Sequence, residues 1–272
     1  WPNQKIIRIK RALLSLKMIL TRNERALYRS LKQKKERERT GLFVIDGIKP
    51  VQEALIATFP LERILISESI DEAERLSLKS LADKQGIAII VVTQSEIEQI
   101  SALRNPEGVL AIAKIPSEVN LLAPLDYPAL YLWQINDPGN LGTILRTALW
   151  FDVKTILLSP DSVDVYSPKV VRGAMGALFR LKVRTEVNLS RIEMILGRDN
   201  AQMWAADMSG TIEKPEITND RFVIAFGSES HGLPPEILQR ATGLIRINKY
   251  GYGESLNVAV AVGIILNNIR QK

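Results

Sequence analysis

Phe222-Val223-Ile224-Ala225-Phe226-Gly227-Ser228-Glu229-Ser230-His231-Gly232-Leu233 reads as a buried strand that breaks into a polar loop bounded by glycines. A second short strand, Leu244 to Ile247, breaks at Tyr250-Gly251-Tyr252-Gly253-Glu254. A helix then opens with Ser255-Leu256-Asn257 and runs apolar through Leu266. Two glycine-rich strand-to-loop transitions therefore lie close to a helix N-terminus. In open α/β sheets, ligands bind where strands give way to loops at their carboxyl ends. Glycine lets the backbone approach a ligand closely, and free N–H groups at a helix start bind polar groups. The stretch from Arg221 to Arg270 is read as the ligand site.

The same alternation extends upstream. Strand Ala129 to Trp133 breaks at Asn136-Asp137-Pro138-Gly139-Asn140-Leu141-Gly142, and a helix carries Thr143-Ile144-Leu145-Arg146-Thr147-Ala148. Strand Thr155 to Leu158, a helix through Val170 to Met175, strand Lys182 to Glu186, a helix over 189–197 and strand Met203 to Ala206 follow. Strands alternating with helices imply an α/β domain with a mainly parallel sheet, placed at 128–272. Pro116, Pro124 and Pro128 punctuate a weakly apolar linker at 117–127. Residues 23–116 repeat the logic on a smaller scale, with strands at 42–45, 64–66, 87–92 and 109–113 and helices at 48–58, 71–85 and 94–101. This predicts a small three-layer α/β domain. The run Ile89-Ile90-Val91-Val92 is apolar without alternation, as in a strand covered on both faces. Glu53 reads as a solvated helix residue, and Lys32 to Arg39, nearly all charged or polar, as exposed. In the 1–22 extension, Ile6, Ile9, Leu13, Leu16 and Leu20 predict an amphipathic helix docking on the next domain.

Composition excludes several chemistries. The 272 residues hold no cysteine, so a disulfide framework, a Cys-based zinc site and a thiol nucleophile are out. A single histidine, His231, removes a Ser–His relay elsewhere and most His-based metal sites, and no metal is expected. No apolar run approaches the roughly 18 residues that span a bilayer, and the basic start lacks the apolar core of a secretory leader. A soluble, cytoplasmic protein is the expectation. The net charge of +6 is uneven: residues 1–40 carry 13 Lys/Arg against Glu24, Glu36 and Glu38, or +10, leaving −4 for the remainder. A basic end on an otherwise acidic chain is the footprint of a nucleic-acid binder, against the blander reading of a solvated charged helix.

Each polar residue of the loops has an ordinary reading beside a functional one. Asn140 suits a helix N-cap, and Arg146, about one and a half turns further, suits a surface arginine. Glu229 can cap a turn, pair with an arginine or bind a hydroxyl, and it ranks above His231. Capping accounts for Ser255, whereas Asn257 heads a helix apolar almost all round and its amide needs partners. A dinucleotide or P-loop reading fails, because neither G-x-G-x-x-G after a leading strand nor G-x-x-x-x-G-K-[ST] occurs.

Taken together, Asp137 to Ala148, Phe226 to Leu233 and Ile247 through Ser255-Leu256-Asn257 to Val260 resemble, in order and spacing, the three motifs of the SpoU (TrmH-type) branch of the SPOUT RNA methyltransferases. Residues 22–115 resemble the ribosomal-protein-like RNA-binding domain that precedes the catalytic domain in many members. The resemblance implies a deep trefoil knot, S-adenosyl-L-methionine as methyl donor, a ribose 2′-hydroxyl of structured RNA as acceptor, and a homodimer with the site near the subunit interface. It assigns catalytic positions to Asn140, Arg146, Glu229, Ser255 and Asn257, and donor contacts to the backbone at Gly227, Ile247 and Leu256. Many members have Pro-Met where this chain has Asn248-Lys249, so the cofactor loop differs there and Lys249 is a candidate RNA contact. The expected activity is 2′-O-methylation of RNA, with large-subunit rRNA as the target. Transfer RNA is the alternative substrate, and a non-catalytic RNA binder that kept the fold is the rival.

Overall fold

The structure, a computed structural model, describes residues 20–116, 123–213, 215, 217, 220–228 and 230–270, which form two compact units divided between Ile115 and Pro116. Of the helix expected at 5–20, all but Leu20 lies outside the described residues, and Leu20 is buried.

The first unit contains α1 (Arg22–Ser30), α2 (Lys34–Thr40), β1 (Leu42–Asp46), α3 (Ile48–Ile56), β2 (Leu61–Ser67), α4 (Glu72–Asp83), β3 (Ala88–Val92), α5 (Gln94–Ile100) and β4 (Val109–Lys114). Thr21 and Glu24 start α1 with a reciprocal capping box. Glu24 also meets Arg63 at 2.5 Å, and its partners, the Thr21 N–H foremost, hold its carboxyl below the usual range. The sheet runs β1-β4-β2-β3, with β4 antiparallel to both neighbours and β3 parallel to β2. One face (Leu42, Val44, Leu65, Ile90, Leu110, Ile112) packs on Leu20, Tyr28, Leu31, Ile97 and Ile100 around α1 and α5. The alternate residues Phe43, Ile45, Ile64 and Ile66 are buried with Val51, Leu55, Leu78 and Ala82 of α3 and α4. The result is the expected helix–sheet–helix sandwich.

Two expectations for this unit are corrected. β3 is an edge strand and Val91 stays 43% exposed, so its unbroken apolar run does not mark a strand covered on both faces. Arg37, in the run expected to be exposed, is buried: its guanidinium donates to the carbonyls of Leu31 (2.7 Å) and Lys32 (2.9 Å) where α1 ends. Carbonyls at a helix C-terminus lack intrahelical donors and attract a cation.

The second unit contains β5 (Ala129–Leu132), α6 (Pro138–Trp150), β6 (Thr155–Leu158), α7 (Pro168–Gly173), β7 (Lys182–Arg184), α8 (Leu189–Asp199), β8 (Gln202–Ala206), β9 (Phe222–Phe226), α9 (Pro235–Arg240), β10 (Gly243–Ile245) and α10 (Val258–Arg270). Its six-stranded sheet runs β10-β8-β9-β5-β6-β7, and every pairing is parallel. The strand order reverses between β5 and β9, which are paired from Ala129–Val223 to Leu132–Phe226. Their carboxyl ends therefore open side by side, with the Trp133 N–H bonded to the Phe226 carbonyl at 2.8 Å. That switch point is where an open parallel sheet offers a crevice.

The chain enters this unit under restraint. Buried Asp199 accepts from the Leu125 N–H (3.1 Å), the Tyr127 hydroxyl (2.7 Å) and Arg198 Nε (2.6 Å). Arg184, also buried, donates to the carbonyls of Ala123 (3.0 Å) and Pro124 (3.3 Å). The Arg198 hydrogen bond, with the Leu125 and Tyr127 donors, overcomes burial and holds the Asp199 carboxyl down at about 2. A depressed carboxyl stabilises fully above its unfolded pKa and loses that contribution as pH falls through the folded value. A shift from 3.8 to about 2 corresponds to about 2 kcal/mol. Asp199→Asn is thus expected to lower unfolding free energy by about 2 kcal/mol at pH 7, and the gap from the parent should shrink between about pH 4 and pH 2. Urea titrations across this range test it; a gap independent of pH would place the stabilisation elsewhere.

Candidate active site

α6 opens on an Asp-Pro pair. Asp137 is the N-cap, its carboxylate accepting from the Asn140 N–H at 2.8 Å, and Pro138 takes the first helical position, where no N–H is needed. The expectation that Asn140 caps is therefore corrected: it is the third helical residue. Arg146 lies eight residues past Pro138, about two turns in rather than one and a half. At the far end of the unit, Asn257 immediately precedes α10, and its Oδ1 accepts from the N–H groups of Ala259 (2.9 Å) and Val260 (3.3 Å). Asn257 is thus the cap, and Ser255, expected in that role, lies two residues before that cap and exposed. The amide oxygen already serves the second and third helical donors and leaves Ser255 none.

With Oδ1 committed to α10, Asn257 Nδ2 donates to Asn140 Oδ1 at 2.9 Å, joining residues 117 apart in sequence. α6 also packs against α10 and against α7. Its crossing with α7 is backbone on backbone: a Cβ on Gly142 would stand 2.9 Å from Gly173 Cα and 3.0 Å from Gly173 C.

The loop after β9 is tighter still. A Cβ on Gly227 would stand 2.0 Å from Gly232 C, so this position admits only glycine. Ser228 and Gly232 bridge antiparallel, the Gly232 N–H meeting the Ser228 carbonyl at 2.8 Å. Glu229 falls within this loop in sequence and lies outside the described residues. Gly227 and Ile247 are part-buried, whereas Leu256 is 50% exposed. Among the described residues, the main-chain N–H and C=O groups of these three make no hydrogen bond. Three loop segments of one unit thus carry backbone donors and acceptors without partners among the described residues, and one of them carries an uncovered apolar side chain. That set fits a ligand with a hydrogen-bonding base and a carboxylate, as S-adenosylmethionine is.

Arg146 stands apart from the asparagine pair. Six residues on from Asn140, it projects about 240° around α6 and about 9 Å along it. It is exposed and makes no ion pair or hydrogen bond among the described residues. Thr143 and Trp150, both exposed, share its stripe, and Trp150 is 85% exposed. Among the described residues, no group of three or more His, Cys, Asp or Glu could hold a metal, and no helix is long and apolar enough to cross a membrane. Two positioning features escaped the sequence reading: the Asp137 cap, which the Asp-Pro pair signals, and the Gly142–Gly173 crossing, which nothing local signals.

A parallel sheet whose order reverses between β5 and β9, with capped α6 and α10 following its strands, is the frame of an α/β ligand-binding domain. Residues 128–267 match the model of the SpoU rRNA Methylase family, and residues 27–111 match the MRM3-like substrate binding domain. The chain belongs to the SpoU rRNA methylase family, and it is an S-adenosylmethionine-dependent RNA methyltransferase. It is 26% identical over 244 residues, 89% of this chain and 94% of the relative, to the 23S rRNA (guanosine(2553)-2'-O)-methyltransferase RlmP of Bacillus subtilis. It is 30% identical over 248 residues, 90% of this chain and 89% of the relative, to an uncharacterized tRNA/rRNA methyltransferase of Synechocystis. The AdoMet-bound rRNA methyltransferase of Sinorhizobium meliloti superposes with a TM-score of 0.80 at 28% identity, over 93% of this chain and 96% of that one.

The two roles of the Asn257 amide are separable. Asn257→Ala should cost about 1 kcal/mol as a lost cap. Asn257→Ser should regain most of that stability while losing the bond to Asn140, so methyl transfer should stay low as the melting temperature recovers. Gly227→Ala should fail to give a folded protein or melt far below the parent in calorimetry.

Proposed function

We propose that this enzyme transfers the methyl group of S-adenosylmethionine to a ribose 2′-hydroxyl of large-subunit rRNA. The observation that carries the reading is the Asn257–Asn140 bond, which joins the amides of the first and third motifs. The backbone segments at Gly227, Ile247 and Leu256 hold the donor, whose sulfonium supplies an electrophilic methyl. With the donor bound, the ribose oxygen would bond to the methyl carbon in line as the C–S bond breaks, leaving S-adenosylhomocysteine and giving the hydroxyl proton to solvent. Alignment of the two reactants would supply much of the acceleration. Asn140, Glu229, Ser255 and Asn257 orient the ribose and Arg146. A guanidinium stays charged at neutral pH, so Arg146 acts as a permanent cation that grips the adjacent phosphate and stabilises the developing alkoxide. The first unit and the +10 segment at 1–40 grip RNA by phosphate contacts and shape.

The reading includes a homodimer. Trp150 leaves a large ring in water on the stripe that carries Arg146, and Val260 of the adjacent α10 is 51% exposed. A second copy seated there covers both and brings Arg146 to the asparagine pair across the interface. The trefoil knot belongs to the same reading, supported by the return of α10 onto α6.

Arg146→Lys should cut kcat at saturating in vitro transcribed 23S rRNA by about 100-fold with S-adenosylmethionine binding intact. Near-normal turnover would rule out the bidentate grip. Trp150→Glu should halve the mass seen by light scattering and abolish transfer together; an active monomer would mean that one chain holds the whole site. Nuclease mapping of 2′-O-methyls in rRNA treated with the parent enzyme tests the acceptor.

A further inference from the structure

Between β10 and α10 the loop Asn248-Lys249-Tyr250-Gly251-Tyr252-Gly253-Glu254 carries two aromatic rings that touch little of the protein. Tyr250 is 94% exposed and Tyr252 108% exposed. The loop is nonetheless shaped: Lys249 Nζ donates to the Gly253 carbonyl at 2.5 Å, closing it across four residues. Gly253 adopts φ +131°, a conformation that side chains rarely take. A Cβ built on Gly251 or Gly253 would meet nothing within 4 Å, so the loop stands clear of the body. Each tyrosine brings about 150 to 250 Å² of largely apolar surface, which is unfavourable in water unless something covers it.

The location narrows what covers them. Tyr252 is five residues before Asn257, so their Cα atoms lie within about 18 Å. Asn257 in turn is bonded to Asn140. On the same loop Lys249 is exposed. Two exposed aromatic faces with a cation on the same loop suit a ligand with flat π-faces strung on a negatively charged backbone, as an RNA substrate is.

We propose that Tyr250 and Tyr252 form a stacking platform for unpaired bases of the substrate RNA beside the target ribose, and so contribute to its selection. The proposal rests on the RNA methyltransferase reading above. Stacking needs a base free of its helix, so the platform favours a target in a loop, a bulge or an opened stem. The geometry assigns the rings to substrate binding and the methyl-transfer chemistry to the Asn140–Asn257 region.

The test compares the full chain with Tyr250→Ala/Tyr252→Ala and Tyr250→Phe/Tyr252→Phe. Filter binding gives Kd for in vitro transcribed 23S rRNA at fixed salt, tritiated S-adenosylmethionine gives KM and kcat, calorimetry gives donor affinity, and light scattering gives mass. Each stacked base contributes about five- to 150-fold in affinity. The alanine pair should therefore weaken Kd and raise KM for RNA at least about tenfold, with donor affinity and mass unchanged, and the phenylalanine pair should stay within about twofold of the parent. Unchanged RNA affinity in the alanine pair overturns the proposal. So does a matching loss in the phenylalanine pair, which would give the role to the hydroxyls. Lost donor binding would assign the loop to the cofactor, and altered mass would assign it to an interface between copies; either overturns the platform. Should the parent bind the transcript without methylating it, the transferase reading fails on its own, and the Kd comparison still decides the platform.

Discussion

One side-chain hydrogen bond, from Asn257 Nδ2 to Asn140 Oδ1, gathers the constraints of the second unit. It ties together distant parts of the chain, because Asn140 follows the central strand β5 and Asn257 follows the last strand, β10. Neither amide is free to rotate. The Asn140 backbone is pinned by the Asp137 carboxylate, and Asn257 Oδ1 is held by two N–H groups of α10. An amide has one acceptor oxygen, so committing it to the helix dictates that the Nδ2 end faces outward. Capping, usually a stability device, here sets the polarity of a candidate site side chain.

Close backbone approach is a second constraint on this unit. α6 can cross α7 closely only because Gly142 and Gly173 meet without side chains. The β9 loop can fold onto itself only because Gly227 carries no Cβ against Gly232. A methyl group at either place would push apart backbone segments that now touch. These glycines act through space, and they sit in segments of quite different sequence distance: 31 residues between Gly142 and Gly173, five between Gly227 and Gly232.

That difference explains what the sequence made legible. The strands of both sheets were readable because apolar runs and glycine breaks are local patterns, and β5, β6 and β9 lie where those patterns place them. The site residues were readable as an ordered set by resemblance, while their individual roles in the helices were not. Asn140 and Ser255 each looked like caps, yet Asp137 and Asn257 win those positions, since a cap is decided by which oxygen reaches the second and third N–H groups. Val91 and Arg37 fail for a different reason. Whether a strand is central, or a charged residue finds carbonyls to bond, depends on neighbours from elsewhere in the fold.

The distribution of charge around the site favours a division of labour. The asparagine pair is neutral, so it can hold polar groups without fixing a protonation state. Arg146 brings a positive charge, and it makes no ion pair among the described residues to dilute it. A ribose hydroxyl becoming an alkoxide gains negative charge as the reaction proceeds, so a fixed cation acts most strongly at the transition state. Within one chain, that cation projects away from the amides that would orient its substrate. The proposed second copy resolves the mismatch, because a two-fold contact through the Thr143–Arg146–Trp150 stripe would bury the exposed ring and deliver the guanidinium in the same step. Assembly would then gate the chemistry: a lone chain would hold the donor loops and the amides, and the charge that lowers the barrier would arrive only with its partner.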